Sequence, residues 1–456
     1  MHYRNPYQRP LDFFALAEVY SPLKPHLRQL VNIPGCYTID FFNNDSQRRL
    51  TEALLYRDYG LTISLPNNRL CPPVPNRLNY ILWLQDIARA HDRFIDTLKG
   101  DVYGIDVGTG ASAIYPLLGC KTDSRWNFFA TEIDDVSYCY ARQNVEANRL
   151  GDRICLVKTT APDPILLPLE DPTRLFDFTM CNPPFYTSKE EIMHSSKAKE
   201  LPPNAICNGA EVEMITPGGE LAFVGRIIEE SKKYITRCKW YTSMLGKLSS
   251  VAELVKLLRQ NEIVNYALAE FVQGQTRRWA IAWSFTDTHL PDSMARIPNP
   301  SLQSSLPQHN TLQYKINIRT SRLSVTEKGA LQQLGAILLQ TINMIEAVTI
   351  CERRWEDSHS SPSGRLALPQ TMLFTVVAQH NTWSRSARRR VQQQKGSDQE
   401  RLQQEPATNN LQHSMTCGIE LSYHVLPDTM TLRMQLVFQW IYGRDRSLFE
   451  SFVNHV

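Results

Sequence analysis

The stretch Val102-Tyr103-Gly104-Ile105-Asp106-Val107, running straight into Gly108-Thr109-Gly110-Ala111-Ser112, limits the fold of this chain more than any other segment. A near-continuous apolar run of this length reads as a strand buried on both faces, the mark of a parallel sheet covered by helices. Ala113-Ile114-Tyr115-Pro116-Leu117-Leu118 then has helical character, so the order is strand, glycine turn, helix. Glycines at such a turn let a ligand come close to the backbone, as in dinucleotide sites. The spacing here is Gly-x-Gly-x-Ser and lacks the third glycine of the dinucleotide fingerprint.

A second strand, Asn127 to Thr131, ends in Glu132 and leads into a helical stretch from Val136 to Asn148. An acid at the end of the second strand of a doubly wound sheet sits where a ribose presents its hydroxyls; the competing reading is a solvated strand-end carboxylate. A later apolar run, Phe176 to Cys181, ends in Asn182-Pro183-Pro184-Phe185. That tetrapeptide either makes an ordinary turn or handles a planar amine. The lone pair of an exocyclic nucleobase nitrogen is delocalised into the ring and must be drawn toward tetrahedral geometry before it attacks. The Asn182 side-chain oxygen and the Pro183 carbonyl would accept both amino hydrogens, Pro183 and Pro184 would hold that carbonyl rigidly, and Phe185 would stack on the base. Taken in order, glycine turn, strand-end Glu132 and Asn182-Pro-Pro-Phe make up the layout of a Rossmann-like methyltransferase that uses S-adenosylmethionine.

Residues from about 10 to 285 resemble the methyltransferase-like protein 16 family of RNA adenosine N6-methyltransferases, which has a bacterial relative acting on large-subunit ribosomal RNA. The blocks that carry the resemblance are Arg77-Leu78-Asn79-Tyr80-Ile81, Gly104 to Ser112, Ala130-Thr131-Glu132, Met180 to Phe185, Met244-Leu245-Gly246-Lys247 and Arg278-Trp279-Ala280. The resemblance implies S-adenosylmethionine as cofactor, held by Arg77, Asp106, Gly108, Gly110, Glu132 and Asn182, with the planar Arg77 guanidinium on its carboxylate. It places Asp163 at an adenine contact. Pro162 stands where the family carries a loop lysine that restrains access to the cofactor. It also implies U6 small nuclear RNA as substrate, with ribosomal RNA as the alternative acceptor.

Three regions of the first half are candidates for holding RNA. The first interleaves rings and charge at Tyr3, Arg4, Tyr7, Arg9 and Phe13, and the resemblance brings Pro10, Asp12 and Phe13 into the family's RNA groove. The second runs from Arg226 to Lys247, where a solvated helix face would look similar. The third, Gln273 to Trp279, offers Gln273, Arg277 and Arg278, with Gln275 where an arginine is usual and Trp279 read as core. The polar stretch from Tyr186 to Gly209 reads as a loop that is either a lid over an extruded adenosine or disordered without RNA. Its His194 is read as a plain loop residue, since the amine proton becomes acidic once methylated and needs no general base. Pro217 to Val224 reads as a turn feeding another core strand.

The net charge of +3 is too small to argue for nucleic acid, so local patches must carry that reading. Ten cysteines without a Cys-x-x-Cys pair disfavour zinc, and no metal is expected. The absence of an apolar signal core or a long apolar span leads to the expectation of a soluble, non-secreted protein; its expected location is the nucleus, with the cytoplasm left open as a second one. We expect an N-terminal RNA-groove and capping module over 1–75, the Rossmann-like methyltransferase core with its mixed, mainly parallel sheet over 76–286, and a linker over 287–310. A smaller C-terminal α+β RNA-binding domain over 311–456 follows. Its strands are expected at 312–318, 372–378, 417–425 and 431–442, with helical patterns at 324–350 and 445–454. A Gln-rich insertion near 382–414 opens with Trp383, Arg385, Arg388, Arg389 and Arg390, which read as a phosphate contact, a nuclear localisation patch or a solvated charge run. A second class of function stays open: an RNA-binding factor whose cofactor site sets its conformation without turnover.

Overall fold

The computed structural model describes residues 1–30, 33–95, 100–192, 211–274, 276–319, 327–356, 371–384, 387, 389, 415–426 and 431–456. They fall into two compact units. The first comprises Met1–Ala88, Lys99–Thr286 and Met294–Pro307; the second comprises Arg89–Leu98, Asp287–Ser293 and Gln308–Val456.

The first unit begins with a small module. Helix α1 (Phe13–Val19) and the antiparallel pair β1 (Leu27–Gln29) and β2 (Tyr37–Ile39) precede α2 (Asn44–Tyr59). Asn43 caps α2 by accepting the Ser46 amide at 2.9 Å. Helix α3 (Val74–Ala88) follows and is almost wholly buried. The central sheet contains β3 (Val102–Val107), β4 (Trp126–Glu132), β5 (Ile154–Lys158), β6 (Phe176–Cys181), β7 (Cys238–Leu245), β8 (Tyr266–Gln273) and β9 (Thr276–Trp283), in the order β5-β4-β3-β6-β7-β9-β8. The first five strands of that order are parallel, and β9 runs against both of its neighbours. This is the mixed, mainly parallel sheet expected from the sequence. Helices α4 (Ile114–Thr122), α5 (Asp135–Ala147), α6 (Gly219–Ser231) and α7 (Leu248–Gln260) complete the core.

Register fixes where a site can form. Val107 on β3 is level with Thr131 on β4 and with Cys181 on β6. The residues one step beyond that row are Gly108, Glu132 and Asn182, so the three sequence signals emerge together at the switch point of the sheet, where open α/β folds bind ligands.

Pro217 to Val224 does not feed a strand: Gly219–Ser231 is helix α6, with Val224, Ile227, Ile228 and Ser231 buried on one face. The helical spacing of those positions becomes visible only beyond Val224, where the strand reading stopped. The segment 287–310 is not a plain linker, because it forms helical turns at Asp292–Ala295 and Pro300–Ser305 and buries Ile297 and Leu302 in the core of the first unit.

The second unit is a five-stranded antiparallel sheet of β10 (Thr311–Arg319), β11 (Val348–Glu356), β12 (Thr371–Ala378), β13 (Met415–Leu426) and β14 (Thr431–Tyr442), ordered β10-β14-β13-β12-β11. Helices α8 (Glu327–Asn343) and α9 (Arg446–His455) supply Leu331, Leu338, Ile342, Phe449 and Phe452 to its core. β11 was not anticipated, because the helical reading ran on to residue 350. Phe94 also belongs to this unit: its carbonyl accepts the Thr375 hydroxyl at 2.6 Å, and a Cβ on Gly418 would lie 2.8 Å from its ring. Among the described residues no helix is long and apolar enough to cross a membrane, and no group of His, Cys, Asp and Glu could hold a metal ion.

Candidate functional site

The glycine turn after β3 depends on its glycines, since Gly108 and Gly110 both have φ of +68°. A Cβ on Gly108 would meet no atom within 4 Å, so the turn leaves open space above its backbone. Glu132 braces the turn. Its Oε2 accepts the Gly110 amide at 2.8 Å, and its Oε1 accepts the amides of Ile133 and Asp134 at 3.0 and 2.9 Å. Burial raises the Glu132 carboxyl against the pull of those three donors. One lone pair on Oε2 is left for a hydroxyl.

Asp106, on β3, is 1% exposed, and neither of its carboxylate oxygens has a hydrogen-bond partner. Burial pushes this carboxyl up to about 7, with the neighbouring Thr109 hydroxyl and, more weakly, Arg77 pulling the other way. Arg77 projects from α3, donates Nη1 to the Tyr115 hydroxyl at 2.9 Å and stacks over that ring at 5.4 Å. Its Nε is buried without a partner. An arginine, an aspartate and a threonine hydroxyl with unmet polar atoms beside an open glycine turn suit a zwitterionic ligand that brings its own carboxylate and ammonium.

At the end of β6, Asn182 Oδ1 is buried and has no partner. Phe185 is held from two sides. A Cβ on Gly246 would stand 2.9 Å from Phe185 Cδ1, which is why glycine occupies that position, and Arg278 Cζ lies 5.3 Å from the ring centroid. Buried Glu220 fixes the turn beneath by accepting the amides of Gly246 at 2.6 Å and Lys247 at 3.0 Å. Burial raises its carboxyl. Lys247 pairs with Glu191 and lies 5.7 Å over the Tyr186 ring. That lysine and the Thr187 amide and hydroxyl hold the Glu191 carboxyl down at about 2.

The remaining expected contacts are more dispersed. Asp163 Oδ2 accepts the Thr160 amide at 2.7 Å and hydroxyl at 2.8 Å, which closes the turn after β5 and lowers its carboxyl. Asp12 caps α1 through the Ala15 amide at 3.0 Å, beside an exposed Pro10 and a half-buried Phe13. Arg4 and Tyr7 are not available to RNA: Arg4 is paired with Asp86, and Tyr7 is buried with its hydroxyl on Asp58 at 2.7 Å. In the second basic region Arg237 donates to the carbonyls of Asp171, Pro172 and Arg174, and Lys239 pairs with Asp177 at 2.8 Å. In the third, Gln273 Oε1 is buried without a partner and Arg277 is exposed, 3.3 Å from Glu270. Trp279 is core, as expected.

Trp383 is buried in the second unit with its indole N–H on Ser451 Oγ at 3.1 Å, so it offers no stacking face. Arg389 is exposed, whereas Arg388, Arg390, Gln275, His194 and most of the loop expected between Tyr186 and Gly209 lie outside the described residues. Sequence reasoning missed Tyr115 and Glu220. Neither carries a local signal, because their partners, Arg77 and the Gly246 amide, lie 38 and 26 residues away.

Residues 1–287 match the family described as RNA methyltransferase. The chain is 34% identical to the U6 small nuclear RNA (adenine-(43)-N(6))-methyltransferase of Schizosaccharomyces pombe, over 91% of this chain and 93% of that one. It is 43% identical to the RNA N(6)-adenosine-methyltransferase mettl16 of Xenopus laevis, over 67% of this chain and 54% of the relative; the chain thus spans about half the length of the vertebrate relatives it matches. The human METTL16 catalytic domain in complex with a MAT2A 3′UTR hairpin matches with TM-score 0.57 and 41% identity, covering 63% of this chain and 96% of that one. The N-terminal domain of human METTL16 in complex with SAH matches with TM-score 0.52 and 41% identity, covering 63% and 99%.

Proposed function

Because the chain belongs to the RNA methyltransferase family, we propose that it transfers a methyl group from S-adenosylmethionine to the N6 amine of an adenosine in structured RNA, U6 small nuclear RNA first among candidates. The observation that carries this reading is the partnerless Asn182 Oδ1 at the end of β6, level with the glycine turn and Glu132. A buried amide oxygen left unmet is costly, by about 1–3 kcal/mol, unless a ligand donor completes it.

S-adenosylmethionine supplies an electrophilic methyl on a sulfonium, and the rest is positioning by this chain. Arg77 takes the carboxylate end, Asp106 offsets the ammonium, and the spare Glu132 lone pair accepts a ribose hydroxyl. Asp163 is our candidate for the adenine amine. Asn182 Oδ1 and the Pro183 carbonyl accept the two hydrogens of the acceptor amine, which turns its lone pair out of the ring plane. Pro184 stiffens the loop, and Phe185, backed by Arg278 and Gly246, gives the extruded base a face to stack on. The proton leaves to water after transfer. Lys247, Arg277, Arg278 and Gln273, with Pro10, Asp12 and Phe13, form the proposed RNA groove of the first unit; Arg388, Arg389 and Arg390 are a further phosphate contact proposed in the second. A U6 substrate supports a nuclear location.

The test is transfer of labelled methyl to a U6 transcript by the native chain and by Asn182→Ala, with the product read as N6-methyladenosine. Label that disappears in the variant supports the assignment. Label on ribosomal RNA, DNA or protein alone overturns the substrate. Tight RNA and donor binding without transfer favours a binding factor.

A further inference from the structure

The amide of Cys181 is the last backbone donor before Asn182, and β7 does not serve it. β6 is in register with β7 at Phe176, Phe178 and Thr179 and no further, although β7 continues to Leu245 alongside β9. On its other side β3 follows β6 to the end, with Val107 opposite Cys181. Just before the acceptor motif, then, β6 loses one of its two neighbours.

Tyr80 fills the gap from α3. It is fully buried, with its hydroxyl 2.7 Å from Thr242 Oγ1 and 3.4 Å from the Cys181 nitrogen. Thr242 Oγ1 gives its single proton to the Thr179 carbonyl at 2.8 Å. It must therefore accept from Tyr80, which leaves the Tyr80 oxygen to accept from Cys181. The result is a one-way circuit that starts and ends on β6: Cys181 N–H to Tyr80 O–H, to Thr242 O–H, to the Thr179 carbonyl. Bonds running in one direction polarise one another, and no water reaches this interior to replace a missing member. The Tyr80 ring also stands edge-on to Tyr115 at 5.7 Å, and Tyr115 holds Arg77. Arg77 and Tyr80 are three apart on α3 and share a face.

We propose that Tyr80 is a positioning residue for methyl transfer, its hydroxyl standing in for the missing strand partner at Cys181 and setting where Asn182 and Pro183 lie relative to the donor. The proposal rests on the methyltransferase reading above for its kinetic consequence, but not for the contact itself. Tyr80→Phe keeps the ring against Tyr115 and removes only the hydroxyl. Its kcat should fall about tenfold to a hundredfold, the size expected for a displacement on the order of 1 Å at a reacting centre. Its Kd for S-adenosylhomocysteine should stay within about twofold, because Arg77 and Tyr115 are untouched.

Thr242→Val should copy this loss, Thr242→Ser should restore near-native kcat, and Tyr80→Phe with Thr242→Val should be no worse than either alone. Equal loss in the Ser and Val variants, or kcat and donor affinity falling together, would overturn the role. Hydrogen exchange reads the contact without turnover. Faster exchange of the Cys181 amide in Tyr80→Phe, with the β3 amides unchanged, supports the proposal even for a chain that methylates no RNA. Unchanged Cys181 protection refutes it whatever the activity.

Discussion

Replacing Asp106 with asparagine should remove a pH-dependent penalty from the ligand-free first unit while weakening its hold on the methyl donor. Both Asp106 oxygens are buried without a partner, and burial lifts the carboxyl from 3.8 to about 7. An acid whose folded pKa is raised binds its proton more tightly when folded. Its contribution to stability is therefore fully present below the unfolded value and is lost as pH rises through about 7. At about 1.36 kcal/mol per unit, a shift of roughly three units caps that loss at about 4 kcal/mol by pH 8. Asparagine does not ionise, so it escapes this slope. Its own buried amide hydrogens cost about 1–3 kcal/mol at every pH, so the informative quantity is the change in the gap with pH. Hydrogen exchange of the β3 amides at their global-opening limit, from pH 4.5 to 8.5, isolates the first unit. The gap should move in favour of Asp106→Asn by about 2–4 kcal/mol across that range, while affinity for S-adenosylhomocysteine falls. A gap that does not change with pH would refute the buried, unpaired carboxylate.

His91 and His289 in the second unit are both drawn down to about 4 by burial, and His289 is stacked on Trp440 at 3.6 Å. A depressed histidine carries no penalty above its unfolded value near 6.5, so the second unit should lose stability as pH falls from 6.5 toward 4, by at most about 3 kcal/mol per histidine. Exchange at the β13 amides should show this slope, and His91→Gln should roughly halve it; an unchanged slope would sink the assignment. In the first unit Glu191 occupies Lys247. Glu191→Gln keeps an acceptor for Thr187 but frees the lysine, so RNA affinity should rise by about fivefold or less, as befits a partly exposed ion pair. The dependence of log affinity on log salt should steepen by about one. Weaker binding, or a slope equal to the native one, would rule out the displacement.

The parts of the site legible in the sequence are those whose chemistry is local. Gly108 and Gly110 announce a turn that needs positive φ, Glu132 ends an apolar run, and Asn182-Pro-Pro-Phe carries acceptor, rigidity and ring within four residues. What could not be read depends on partners far along the chain. Tyr80 looks like one more apolar position on α3 until Cys181 and Thr242 arrive from 101 and 162 residues away. Phe94 looks like the tail of that helical region, yet its carbonyl is bonded 281 residues ahead, by Thr375. The alternation of ring and charge at Arg4 and Tyr7 suggested RNA, whereas the structure uses Asp86 and Asp58 to turn both residues inward. Composition reports which groups are present; only packing decides which are already satisfied.

That distinction is itself informative about function. Thirteen buried side-chain polar atoms lack a partner among the described residues, and five of them belong to Arg77, Asp106, Thr109 and Asn182. The other eight are scattered over both units, whereas these five converge on the residues at and beside the flush ends of β3 and β6. Each unmet group costs about 1–3 kcal/mol, and the fold tolerates the cluster because the strands beneath are apolar and continuous. The unmet set is also chemically mixed, with guanidinium and hydroxyl donors, a carboxylate and an amide oxygen. A purely anionic or purely apolar ligand would complete only part of it. A zwitterion beside a planar amine would answer to every member, which supports the proposed pairing of a methyl donor with an adenosine acceptor over a site for either alone.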